Sequence, residues 1–301
     1  MNSQRSAPAG LIAAAPALFV VLWSTGFIGM RLGAPFAEPF TFMLARMIVV
    51  VLLFLMAARL LRSPWPANPA AFGHIAVAGL LVHATYLCGV LIAIEHGLPT
   101  GYVALIAGMQ PIFTSLFAHF LLGEELDGVQ WFGMTLGLAG VIMVVASKNP
   151  AVSVSPVALV AAAIGLFGMT AGTLYQKRYC SHMDICTGGI IQFSATGILL
   201  AVLAPVFETM HIDWTWQFVF ALSWLSVMLS VGAISLLYLM IRRGAASKVA
   251  SLFFLTPSVT ALMAWPLFGE TLTVVALAGM VVTAAGVALV MRRKNPVPEN
   301  Q

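Results

Sequence analysis

The chain repeats itself. Pro111 and Pro257 stand 146 residues apart, and so do Gly123 and Gly269, Glu124 and Glu270, Gly133 and Gly279, and Gly140 and Gly286. Lys148-Asn149-Pro150 meets Lys294-Asn295-Pro296 at the same offset. Towards the N-terminus Gly26 meets Gly172, Arg31 meets Lys177, Glu38 meets Asp184 and Arg46 meets Gln192. One gap-free offset thus pairs residues 5–150 with 151–296. Each half is predicted to be one copy of a single unit, so any fold proposed must be one that can be built twice.

Composition decides the solvent. The chain is 61% hydrophobic and 8% charged, where soluble domains carry about 25% charged residues. So few charges cannot cover this much apolar surface in water, so lipid must do much of the covering. A spanning helix takes about 20 apolar residues. Ten runs qualify, at 10–30, 38–60, 70–94, 99–122, 128–147, 156–176, 184–207, 214–241, 246–268 and 271–291. The first, Gly10 to Met30, is as long as a full span and no clean cleavage site follows it, so it reads as a retained helix and not a signal peptide. Nothing alternates as barrel strands do, and backbone in lipid must bond within its own segment. The fold class expected is an all-α integral membrane protein of ten transmembrane helices.

Lys and Arg orient the bundle. With the N-terminus inside, the inner loops and ends hold Arg5, Arg59, Arg62, Lys177, Arg178, Arg242, Arg243, Lys248, Arg292, Arg293 and Lys294. The outer set is Arg31 and Lys148, and Arg46 falls within a span. Both termini are therefore expected in the cytoplasm. Each copy holds five spans, an odd number, so the second copy must sit upside down. Arg62, inside, then corresponds to Glu208, outside. Inverted repeats of this kind are a transporter signature, with solute bound near the midplane between the copies.

The plan resembles the drug/metabolite transporter superfamily, of the type with two tandem EamA domains. The resemblance covers essentially the whole chain. It is carried by Trp23-Ser24-Thr25-Gly26-Phe27, by Leu44-Ala45-Arg46, by the stretch Pro111 to Leu126, and by the glycine-spaced fifth and tenth spans. Within that family the chain is most similar to bacterial aromatic amino-acid exporters. The resemblance implies a multi-pass protein of the cell inner membrane.

Polar residues inside the spans are the candidates for solute contact. His83 lies mid-span with Tyr86 three residues on, on one helix face, and it titrates nearest neutral pH. It either contacts solute or is a satisfied buried histidine. Trp23 and Tyr86 are too deep for an interface belt and suit an aromatic lining, with Tyr175 and Tyr238 as further candidates. Gln110 precedes Pro111 and can offer uncharged hydrogen bonds, or it can stitch helices. Arg46 either binds a solute carboxylate or is structural, and Gln192 at the matching site favours the structural role. Glu124 and Glu270, each after a glycine at the mouth of a span, suit helix capping. The glycines of the fifth and tenth spans suit close packing as static scaffold. Pro111 and Pro257 would each remove a backbone bond, to Ala107 and Phe253, and kink a span near the midplane. They are the expected hinges, each half-helix gating one mouth.

Several classes are set aside. No basic tract is interleaved with aromatics, so nucleic acid is not an expected partner. Cys88, Cys180 and Cys186 show no metal-ligand or disulfide spacing, and no cofactor is called for. No Ser–His pair, His-Glu-x-x-His site or paired aspartates suggest an intramembrane enzyme. The loops are too short for a receptor or assembly protein. No Asp or Glu lies deep in any span, where a proton-driven antiporter of cations usually carries one. The expectation is an exporter of small neutral or zwitterionic metabolites, aromatic or other amino acids, working as a monomer by alternating access and facilitated diffusion. The alternative is an exporter of another small metabolite or an apolar drug cation, with proton coupling open.

Overall fold

A computed structural model describes residues 9–96, 98, 103, 106–146, 155–243, 246–268 and 272–292. The described residues are helical, apart from connecting turns and one isolated bridge between Ala37 and Ile212. In chain order the helices are α1 (Ala9–Gly33), α2 (Pro39–Leu61), α3 (Pro69–Gly79), α4 (Tyr86–Glu95), α5 (Gln110–Leu122), α6 (Gly128–Ala146) and α7 (Pro156–Tyr179). There follow α8 (Ile185–Phe207), α9 (Trp216–Trp224), α10 (Ile234–Arg243), α11 (Ala246–Ser251), α12 (Leu255–Phe268) and α13 (Val274–Met291). Among the described residues eight helical stretches are long and apolar enough to cross a membrane, and Gln110–Leu122 and Gly128–Val144 are two shorter apolar ones.

Local chemistry sets the ends. Pro39, Pro69, Pro111 and Pro156 stand in first turns, where a missing N–H costs nothing and φ is already helical. Asn68, Asp184, Thr215 and Thr273 accept hydrogen bonds from the orphan N–H groups that follow them. Gly123 closes α5 at φ 67°, a conformation glycine reaches without steric cost.

Polarity is distributed inside out. Arg46, His83, Gln110, Gln176, Gln192, Ser230 and Thr256 are buried, whereas Phe120, Phe132, Val206, Trp216, Val274 and Val281 are mostly exposed. Water would reverse this arrangement, and a hydrocarbon solvent favours it.

Two kinds of contact hold the helices. Between α6 and α13 backbone meets backbone. A Cβ on Gly133 would lie 2.8 Å from the Gly286 carbonyl oxygen, and one on Gly279 would lie 2.8 Å from that of Gly140. These are matching positions of the two copies, so the glycine rows meet reciprocally. Asp127 ties the start of α6 to the end of α13 by a 2.8 Å ion pair with Arg292. The Gln130 N–H bonded to Asp127, helped by Arg292, holds its carboxyl below the usual carboxylate range. Between α2 and α8 side chains interlock instead, with Phe54 stacked on Phe193 at 5.9 Å.

Two π-helical turns interrupt the rods, Leu80–Thr85 between α3 and α4 and Leu225–Ala233 between α9 and α10. Shifted by 146 residues, the first falls inside the second. A π turn widens the backbone and re-aims side chains, and such turns cluster at functional sites. His83 stands on one, and Ser226 and Ser230 on the other.

Candidate solute site

A buried polar chain joins residues far apart in sequence. His83 Nε2 lies 3.1 Å from the Tyr238 hydroxyl, which donates in a short hydrogen bond to Gln192 Oε1. The Gln192 amide donates in turn to Gln176 Oε1 at 2.7 Å. The His83 ring stacks on Phe193 with centroids 4.3 Å apart. A second arm starts at Arg46, whose Nε donates to Ser230 Oγ at 3.1 Å. The widened turns make this possible, because Ser230 and His83 both lie on them.

A second polar locus forms where two spans break. The sequence predicts kinks at Pro111 and Pro257. The structure shows interruptions instead: α5 starts afresh at Gln110 after a turn at Gly108 and Met109, and α12 starts at Leu255 after a 3₁₀ turn over Leu252–Phe254. Both prolines therefore sit in the first turn of a new helix. The cause is local, since a proline has no N–H for the carbonyl four residues back and its ring clashes there, so the α ladder restarts just ahead of it. Beside these breaks lie buried atoms without a hydrogen-bond partner among the described residues, Gln110 Oε1, Thr256 Oγ1 and Ser258 Oγ. Gln110 and Thr256 are matching positions of the two copies. The Gln110 amide N–H is used on Thr114 at 3.2 Å, so its oxygen is the group left open. An unpaired buried acceptor or hydroxyl costs about 1–3 kcal/mol. These open atoms, at matching breaks in two apolar runs, make up the candidate solute cradle inside an apolar bundle.

An aromatic wall adjoins the second break. Trp23 packs on Phe253 at 5.1 Å and on Phe19 at 5.3 Å, and Phe19 meets Phe253 edge-on at 5.2 Å. Ser24, next to Trp23, donates to the Thr256 carbonyl, and Thr260 donates to the Ser24 carbonyl, both at 3.4 Å. The first helix is thus fastened to the break in the ninth apolar run.

The other sequence candidates fall elsewhere. Tyr86 is half-buried and packs on the main core. Tyr175 bonds His74 Nδ1 at 2.6 Å and packs tilted against Tyr179 at 4.7 Å, towards the end of α7. Glu124 does cap a helix, but not the α6 that follows it: its carboxylate takes the Ala246 and Ser247 N–H groups at 2.6 and 3.2 Å, at the start of α11. Glu208 likewise takes the Phe40 and Thr41 N–H groups at 2.6 and 2.7 Å. Glu270 lies outside the described residues. Ser230, Gln176, Thr256, Ser258 and Phe253 escaped the sequence reading. Thr256 could have been found, because it is the copy of Gln110 beside the repeated proline. Ser226 and Ser230, four apart on one face mid-run, were a weaker signal.

Among the described residues no three of His, Cys, Asp or Glu come together to hold a metal ion. A groove of about 520 Å³ between α4 and α7, lined by Cys88, Ile92, Val160 and Ile164, has apolar walls and offers a polar solute nothing.

Comparison with known proteins agrees with this architecture. The model of the EamA-like transporter family matches residues 9–146 and again 156–292. An uncharacterized inner membrane transporter, YedA of Escherichia coli K12, is 27% identical over 284 residues, covering 94% of this chain and 90% of the relative. A probable amino-acid metabolite efflux pump of Salmonella typhimurium is 23% identical over 282 residues, covering 89% and 91%. A solved crystal structure superposes with a TM-score of 0.75 at 20% identity, over 94% of this chain and 96% of that one, which speaks for the fold alone. Two matches covering nearly the whole sequence leave one conclusion: the chain belongs to the EamA-like transporter family and is a multi-pass membrane transporter.

Proposed function

We propose that this transporter exports small neutral or zwitterionic metabolites, aromatic amino acids foremost, across the cell inner membrane. It does so as a monomer of ten spans, two inverted five-helix repeats, with both termini in the cytoplasm. The observation that carries this reading is the pair of unpartnered polar groups, Gln110 and Thr256, at matching breaks in two apolar runs, beside the Trp23–Phe253 wall. Polar atoms without partners call for a polar guest, and the aromatic wall suits a guest with a flat apolar end. A relative named as an amino-acid metabolite efflux pump supports the same class.

Alternating access follows from the symmetry. Each half-helix beyond a break can swing about Pro111 or Pro257 with few backbone bonds to lose, so each break gates one mouth. Energetically the chain is a facilitator. No acidic residue lies deep in the apolar runs, and His83 is occupied by Tyr238 and Phe193.

Counterflow in proteoliposomes tests this. Vesicles preloaded with unlabelled L-phenylalanine should accumulate labelled L-phenylalanine transiently, without an imposed proton gradient. Accumulation of quaternary amines or purines with no amino-acid exchange would instead establish a different solute. Uphill uptake driven by a proton gradient, abolished in His83→Ala, would overturn the facilitator.

A further inference from the structure

We infer that Arg46 anchors a carboxylate of the transported solute on its two terminal amines. This rests on the reading of the chain as a carrier of zwitterionic solutes and gives that solute's acidic end a place.

Arg46 is 5% exposed. Its Nε is spent on Ser230 Oγ at 3.1 Å, and neither Nη1 nor Nη2 has an acceptor among the described residues. The bond fixes its depth, because Ser230 stands at the middle of the helical stretch Trp216–Arg243. An arginine held there cannot snorkel to the headgroups. Nor does an acidic side chain compensate it. None lies deep in the apolar runs, and none of the described residues forms an ion pair with it. A buried unpaired charge is costly and persists where function requires it.

The neighbouring acceptors are already taken. Gln192, the copy of Arg46 in the second repeat, is engaged at both ends, giving its N–H to Gln176 and receiving the Tyr238 hydroxyl. Gln176 Oε1 is used by Gln192, and Tyr238 is shared between Gln192 and His83. The network closes on itself and leaves the guanidinium edge open. That edge presents paired donors matching the two oxygens of a carboxylate. Arg46 is the one Lys or Arg that falls deep within an apolar run, which suits one negative charge, hence a carboxylate and not a phosphate dianion.

The test compares two probes that differ at one group, 3-phenylpropanoate and 3-phenylpropanamide, with phenyl phosphate as a third. Half-saturating concentrations are read from thermal protection of the full chain in detergent, and L-phenylalanine counterflow is run beside it. Arg46→Gln installs the residue its own copy carries. It should weaken 3-phenylpropanoate by about thirty-fold or more, the loss expected when one side of a buried charge pair is removed. The amide should stay within about two-fold. Arg46→Lys should recover part of the loss. If Arg46→Gln does not fold, Ser230→Ala carries the test, because it keeps the charge but frees the guanidinium; it should weaken the acid by about three- to ten-fold, and the amide not at all.

Equal effects on acid and amide, or no protection of the wild type by any carboxylate, overturn the anchor. Tighter binding of phenyl phosphate than of 3-phenylpropanoate also overturns it. L-phenylalanine exchange that is indifferent to Arg46 sinks the anchor and leaves the carrier reading standing. Arg46-dependent protection by 3-phenylpropanoate without exchange of any amino acid does the reverse.

Discussion

Positions 46 and 192 are copies of one site, yet they are used oppositely. Gln192 is locked, with both ends of its amide engaged by Tyr238 and Gln176. Arg46 is pinned at one nitrogen and, among the described residues, open at the other two. The same division runs through the molecule. The α6–α13 pair is closed, backbone on backbone at its glycines. The two breaks before Pro111 and Pro257 are open, with Gln110, Thr256 and Ser258 unpartnered. A duplicated fold needs parts that stay put and parts that receive, and symmetry alone does not say which is which. Hydrogen-bond satisfaction does: saturated positions are frame, and unsatisfied buried ones await a guest.

The largest expected effect lies in the frame. A Cβ at Gly140 would meet Gly279 O at 2.6 Å and the Thr283 backbone nitrogen at 2.5 Å. Gly140→Val should therefore separate α6 from α13 at a cost of about 3 kcal/mol, the upper end for overpacking. Loss of the monodisperse peak in size-exclusion chromatography would show it; a normal peak and melting temperature would break the frame half of the comparison. Gln192→Leu comes next. It leaves the Gln176 carbonyl oxygen without its donor and the Tyr238 hydroxyl with His83 alone, about 1–3 kcal/mol for the one buried group left unpaired. Its melting temperature should fall well below that of Arg46→Gln, which removes a charge and strands only the Ser230 hydroxyl. The reverse order would make Arg46 the frame residue. Glu124→Gln is the mildest. It weakens the cap on α11 by about 1 kcal/mol, and should change the rate of solute exchange more than solute affinity, because it ties a loop end and not the cradle.

Much of this was legible in the sequence because it is written in spacing. The repeat, the apolar runs, the glycine rows and the paired prolines are periodic or recurrent, and lipid solvent allows few folds for them. The nature of the proline sites was less legible. A proline forbids one backbone bond, but whether the helix bends or restarts depends on the residues before it, here Gly108-Met109 on one side and a 3₁₀ turn on the other. Partners were least legible. Glu124 reaches Ala246 and Tyr238 reaches Gln192 across distances that leave no local pattern, and π turns carry no sequence signature of their own. Tyr175 is a further case: an aromatic near a span end carries no sign in the sequence that His74 is its partner.

The central claim is that the cradle at the two breaks is a solute site that opens to each side of the membrane in turn. Gln110→Cys and Thr256→Cys, each placed in a chain lacking Cys88, Cys180 and Cys186, test it directly. In proteoliposomes a membrane-impermeant thiol reagent should label each cysteine from either side, and saturating L-phenylalanine should slow that labelling. Cysteines that react from neither side would show these positions to be packed core, and the account would be wrong.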